Sequence, residues 1–131
     1  MLAVEYPGYG LYKGTANESQ IFEDSEIVYD YLIKGLKLHP QQIILFGRSI
    51  GSGPATYLAA RKKVGALILM SAFTSIRSVV KDLAGAWAQF IIKERFNNLE
   101  EIVKVTCPTF FVHGQKDRLV PYSHSERLHG I

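Results

Sequence analysis

The 131-residue sequence predicts an α/β fold, a mainly parallel sheet with flanking helices. Three observations predict it. Ile43–Phe46, Leu67–Met70 and Thr109–His113 are short apolar runs without alternation, the pattern of parallel strands covered on both faces. Segments with apolar residues at three- and four-residue steps lie between them. The first run passes through a glycine-flanked turn directly into a helical segment. Crossovers in such a sheet are right-handed, and chemistry gathers at the carboxyl ends of the strands.

Taken in order, Leu2–Tyr6 reads as a strand closed by Pro7-Gly8-Tyr9-Gly10, which brings the expected strands to four. Asn17 with Gln20 resembles a capping box. The helix after it places Phe22, Val28, Tyr31, Leu32 and Gly35 on one face, with Glu23, Asp24 and Glu26 in its early turns. Lys37–Gln42, with Pro40, reads as a turn. A second helix is expected from about Gly51 to Arg61. From Thr74 to about Arg95 the stripe of Ile76, Val79, Val80, Leu83, Trp87, Phe90 and Ile91 predicts one long helix, or two broken at Gly85. Asn98 with Glu101 marks a short helix to Lys104, and Pro121 opens a last one. The whole chain, 1–131, reads as a single partial domain.

Composition narrows the function classes. The chain is 47% hydrophobic and 21% charged, with a net charge of +3, which suits a globular core. Residues 1–35 are net acidic and the remainder net basic, but only Arg61, Lys62 and Lys63 run together. They follow a helix, whose C-terminal dipole suits cations, and no RNA-module signature or aromatic–basic interleaving accompanies them, so no nucleic-acid partner is expected. The one cysteine, Cys107, excludes an internal disulfide and reads as a structural thiol beside Pro108. No apolar run nears the ~20 residues of a membrane span and no leader pattern opens the chain; a cytoplasmic protein is expected.

The residues that follow the strands carry the chemistry. Gly47-Arg48-Ser49-Ile50-Gly51 is G-x-S-x-G between a strand and a helix, the context that gives this motif meaning. A nucleophile on so sharp a turn takes a strained backbone conformation, and small residues two before and two after let the chain approach itself. The helix start leaves N–H groups unpaired, so the Ile50 amide can face a developing oxyanion. The same stretch lacks dinucleotide spacing and the Gly-Lys-Ser/Thr of a phosphate loop. After the last run, Asp117 falls in a turn just past a strand end. It can cap that turn or orient a histidine; the order Ser then Asp favours the second reading. His113 with Asp117 offers too few ligands for a metal.

Together these residues resemble the α/β-hydrolase superfamily, and in particular its Bem46-like branch of abhydrolase-domain serine hydrolases, which includes protein depalmitoylases. The resemblance rests on Val4-Glu5-Tyr6-Pro7-Gly8-Tyr9-Gly10, Gly47–Gly53, Ser71-Ala72-Phe73-Thr74-Ser75-Ile76, Cys107-Pro108, His113-Gly114 and Asp117 with Val120-Pro121. It implies Ser49 as nucleophile, Asp117 as triad acid and the Ile50 amide as half of the oxyanion hole. It implies no cofactor, a small acyl ester or acylated protein as substrate, and, for a depalmitoylase, peripheral membrane association. Trp87 and its stripe either pack the core or line an acyl pocket. The resemblance also implies a third family strand between Leu2–Tyr6 and Ile43–Phe46, which this sequence lacks. The triad histidine is expected ~25–30 residues beyond Asp117, after one more helix and strand. His39, His113, His124 and His129 each lack that setting, so the chain alone is expected to be nearly inactive. The alternative is a non-catalytic fragment or pseudoenzyme that at most binds.

Overall fold

The structure, a computed structural model, describes all residues except 86, 88–92 and 94. Three parallel strands, β1 (Ile44–Arg48), β2 (Ala66–Met70) and β3 (Thr109–Val112), lie in the order β1-β2-β3. Helix α1 (Glu18–Asp30) precedes β1, α2 (Ser52–Ala59) joins β1 to β2, α3 (Ile76–Ala84) and α4 (Asn98–Ile102) lie between β2 and β3, and α5 (Ser123–His129) follows. This is an open α/β sheet with flanking helices.

Register assigns each strand residue to a face. Leu45 lies beside Leu67 and Thr109, and Gly47 beside Leu69 and Phe111. This inner face meets Leu58 and Ala59 of α2, Ile102 of α4 and Leu128 of α5 in one core cluster, where Leu67 and Leu69 are wholly buried. Fully burying a leucine contributes about 2 kcal/mol. The outer face carries Ile44, Phe46, Ile68, Phe110 and Val112. Here the expectation of strands buried on both faces fails, because Ile44, Phe46 and Phe110 are all more than half exposed. Among the described residues, the helices of the core cluster cover the inner face only.

Leu2–Tyr6 is not a strand. A strand exists through ladder hydrogen bonds to a neighbour, and these residues have none to β1. Their end is tied instead to the turn that follows: the Tyr9 amide donates to the Tyr6 carbonyl, the Gly8 amide to the Tyr12 carbonyl, and the Tyr12 amide to the Glu5 carboxylate. Among the described residues the sheet therefore has three strands, not four. A groove of about 830 Å³ is lined by Leu2, Val4 and Tyr6 together with Ile44 and Phe46 of β1.

The N-terminal half of the capping box forms, with the Asn17 side chain accepting from the Gln20 amide at 2.9 Å, while the Gln20 side chain turns forward to Asp24. The buried stripe of α1 is Ile21, Ser25 and Tyr29, not the expected one, and Tyr31 is exposed. The helix runs out through a π-helical turn, Tyr31–Gly35, whose wider spacing rotates its residues out of phase with the stripe. The Tyr29 hydroxyl donates to the Lys63 carbonyl at 2.7 Å. Lys62 pairs with Glu26 at 3.1 Å and Arg61 with Glu101, so two of the three clustered cations are used inside the fold. Helix α3 begins at a Ser75 cap and ends at Gly85, whose φ of 93° confirms the break there. Trp87 is exposed and packs no core; Phe90 and Ile91 lie outside the described residues. No described helix is long and apolar enough to cross a membrane.

Candidate active site

Because the strands are parallel, the residues after β1, β2 and β3 share one end of the sheet. Ser49 follows β1 directly and opens a short 3-10 turn, Ser49–Gly51, that runs into α2. Its φ is +49°, left-handed backbone that costs a residue with a Cβ about 1–2 kcal/mol. Strain of this kind persists only where the surroundings enforce it. Gly47 shows the enforcement: a Cβ there would lie 2.6 Å from the Gly51 carbonyl oxygen and 2.8 Å from Ser52 Cα and Ala55 Cβ. The strand and the start of the helix are in contact across the turn, and only glycine fits. Gly51 differs from expectation, since a Cβ there would meet nothing closer than the Tyr6 hydroxyl at 3.5 Å. Gly53 makes room instead for the Phe96 ring, which a Cβ would meet at 2.3 Å. The Ser49 side chain is half-buried and Ile50 exposed, so the turn opens outward.

Asn98 ties this turn to its neighbours. Its side-chain amide donates to Ser52 Oγ at 3.0 Å and to the Phe73 carbonyl at 2.8 Å, in a fully buried position. One side chain thus links α4, the first turn of α2 and the segment leaving β2. The expected cap with Glu101 does not form: the cap position is Asn97, and Asn98 is the first helical residue, its side chain spent on these buried bonds.

Asp117 follows β3, the strand on the other side of β2 from β1, so it lies at the same end of the sheet as Ser49. Its amide donates to the Gly114 carbonyl at 3.0 Å, closing the turn after β3. Its Oδ1 accepts from the Leu119 amide at 2.9 Å and the Val120 amide at 3.0 Å. The Val120 and Leu119 donors, then the Ser71 hydroxyl and His113, hold the carboxyl below the usual aspartate range. Asp117 therefore does cap its turn, and the same bonds fix its carboxylate at the end of the sheet where Ser49 lies. Capping and a triad role are compatible.

The histidines are engaged elsewhere. His113 Nε2 donates to the Val120 carbonyl at 2.8 Å, and its Nδ1 meets Ser125 Oγ at 2.6 Å. Both ring nitrogens are occupied; the Asp117 carboxylate is 3.7 Å away. His124 is buried, its Nδ1 accepting from the Thr74 amide at 3.1 Å, while its Nε2 lies 3.0 Å from Asp82 Oδ2 without hydrogen-bond geometry. Burial lowers its pKa, against the pull of Asp82. His129 stacks edge-on against Phe111, and exposed His39 caps the turn at Pro40. None of the four bonds to Ser49. Cys107 is half-buried at the start of β3, its thiol pKa raised by burial, as a structural thiol requires. Among the described residues, no group of three or more His, Cys, Asp or Glu side chains converges for a metal.

Comparison with known proteins bears on the fold that carries these residues. No protein-family model matches the chain. It is 31% identical over 129 residues to human alpha/beta hydrolase domain-containing protein 17B, covering 98% of this chain and 43% of that protein. It is 28% identical to the Caenorhabditis elegans alpha/beta hydrolase domain-containing protein aho-3, covering 98% of this chain and 38% of that one. The chain thus spans less than half the length of these relatives. Among solved structures, a Mycobacterium tuberculosis puromycin-hydrolyzing peptidase superposes with a TM-score of 0.68 at 17% identity, over 84% of this chain and 19% of that one. The esterase domain of a Rhodothermus marinus protein gives a TM-score of 0.61 at 18% identity, over 82% and 50%. These likenesses show the fold.

Proposed function

We propose, from the premise that this chain is a stretch of an α/β-hydrolase-superfamily domain, that it carries the nucleophile and acid of a serine hydrolase. Ser49 Oγ attacks the carbonyl carbon of a carboxylic ester or thioester, S-acylated protein among the substrates. The Ile50 amide donates to the oxyanion that forms. Asp117 orients a histidine that lies outside these 131 residues and stabilises its cation. The alcohol or thiol leaves, and water then releases the acyl group from Ser49. The substrate is a small acyl ester or an acylated protein, the partner is not nucleic acid, and an acylated-protein substrate brings peripheral contact with the cytoplasmic membrane surface. No cofactor enters the scheme.

The observation that carries this reading is the left-handed Ser49 on a turn that Gly47 alone permits. The engaged histidines favour the second reading, that these residues alone do not catalyse. Loss of a triad member costs orders of magnitude in rate. One experiment separates the readings. A fluorophosphonate probe should label the chain slowly at Ser49, and added imidazole should accelerate the labelling in place of the missing base. Ser49→Ala should show neither. Labelling that is independent of Ser49, or unmoved by imidazole, would count against the hydrolase reading.

A further inference from the structure

The loop that carries Asp117 has almost no packing of its own. Residues 114–119 are exposed except Asp117, and neither core cluster of described residues takes a side chain from them. The shape of the loop therefore rests on hydrogen bonds and on the two points where it joins the fold. It leaves β3 at His113 and rejoins the core at Val120, which is buried and packs with Ile21, Phe73 and Phe96.

These two points are bonded to each other. His113 Nε2 lies 2.8 Å from the Val120 carbonyl oxygen, and the His113 side chain is only 1% exposed. A carbonyl can only accept, so Nε2 carries a proton. In the neutral ring Nδ1 is then the acceptor, and the buried Ser125 hydroxyl of α5 donates to it at 2.6 Å. The Tyr122 ring packs edge-on against the imidazole, with centroids 5.8 Å apart. Val120 is thus held through both of its backbone groups: its carbonyl accepts from His113, and its amide donates to Asp117 Oδ1 at 3.0 Å. The Asp117 carboxylate itself is 3.7 Å from Nε2, beyond hydrogen-bond reach, so His113 acts on it through Val120.

We infer that His113 is a positioning residue: its imidazole clasps the two ends of the 114–120 loop and so holds the Leu119 and Val120 amides where they bind the Asp117 carboxylate. The catalytic meaning of this clasp rests on the reading of Asp117 as triad acid; the clasp itself does not. Without it, the return limb of the loop would be anchored by the Val120 side chain alone, which leaves the backbone around it free to turn. With it, the direction of the Val120 amide is set by a buried side chain at the end of β3.

The test compares three variants with the parent chain by NMR. His113→Gln has an amide nitrogen that can reach the Val120 carbonyl in place of Nε2. His113→Asn is too short to reach it, and His113→Phe keeps a ring without a donor. All three lack the imidazole charge, so differences among them report the hydrogen bond and not electrostatics. Amide exchange at Leu119 and Val120 should be roughly 5- to 10-fold faster in Asn and Phe than in the parent and close to the parent in Gln, with exchange at Leu69 in the core unchanged. Backbone donors favour the charged carboxylate, so the carbon-13 titration midpoint of Asp117 should be higher in Asn and Phe than in Gln. Exchange in Phe equal to the parent's, or equal midpoints in Gln and Phe, overturns the inference. So does Leu69 exchange that rises in step with Val120, which would mean general loosening. The parent chain gives a check that needs no variant: in mildly alkaline solution, nitrogen-15 spectra of the His113 ring should show the proton on Nε2, and a proton on Nδ1 overturns the clasp. Failure of these tests with imidazole-dependent labelling of Ser49 intact overturns the role of His113 alone; the expected shifts with that labelling absent overturn the hydrolase reading alone.

Discussion

The two faces of the sheet are written in the same residues and end in opposite surroundings. Along β2, Leu67 and Leu69 point inward and are wholly buried. On the neighbouring strands, Phe46 and Phe110 point outward at 57% and 65% exposure. A period-two pattern would have placed polar residues outside, and among the outer-face strand positions only Arg48 is polar. Burial on one face is therefore a property of which helices are at hand, not of the strand sequences. The Ser49 turn belongs to the covered side: Gly47 is an inner-face residue, and its close approach to α2 is what forces the turn.

If the inner face supplies the stability, Leu69→Ala should have the largest effect. It leaves a cavity in the centre of the core cluster, and the loss should be about 3 kcal/mol, seen as a melting temperature lower by roughly 10 °C. A loss under ~1 kcal/mol would mean that the inner face is loosely packed and the contrast between the faces shallow.

Gly47→Ala comes next and sharpens the link between this face and the site. The added methyl would sit 2.6–2.8 Å from the Gly51 carbonyl oxygen, Ser52 Cα and Ala55 Cβ, two of which are backbone atoms. We expect a cost of about 2 kcal/mol from overpacking, with loss of fluorophosphonate labelling as the turn opens. Gly51→Ala, with only the Tyr6 hydroxyl at 3.5 Å, should stay within about 0.5 kcal/mol and keep the label. Equal effects at the two glycines would refute the asymmetry of the turn.

The same asymmetry marks what the sequence made legible. Gly47-Arg48-Ser49-Ile50-Gly51 determines its geometry within ten residues, because the strain at Ser49 and the close approach at Gly47 are local. The three core strands, the Asn17 cap and the break at Gly85 were readable for the same reason. Leu2–Tyr6 has the residues of a strand but no ladder partner, and pairing is a property of two segments. On the face expected for α1, Tyr31 and Gly35 are turned to solvent by a π turn that shifts the phase of a 3.6-residue period, while Phe22 and Val28, upstream of it, border the buried stripe half-buried. Asn98 reads as a helix cap in the sequence because its bonding role depends on Phe73 and Ser52, far away along the chain. Apolar runs told where strands lie and left open how many of their faces are covered.

The smallest effect is expected on the outer face. Phe110→Lys replaces an exposed ring on β3, which among the described residues pairs with β2 alone, by a charge that can lie in water. Stability should change by no more than about 0.5 kcal/mol, because no described side chain of the core cluster covers that ring. Contiguous exposed apolar surface promotes association, and a lysine on an edge strand opposes it. Sedimentation velocity should therefore show less self-association for the variant than for the parent chain at equal concentration. A cost near that of Leu69→Ala would place Phe110 in a covered position in solution, and the two faces of the sheet would then be equivalent after all.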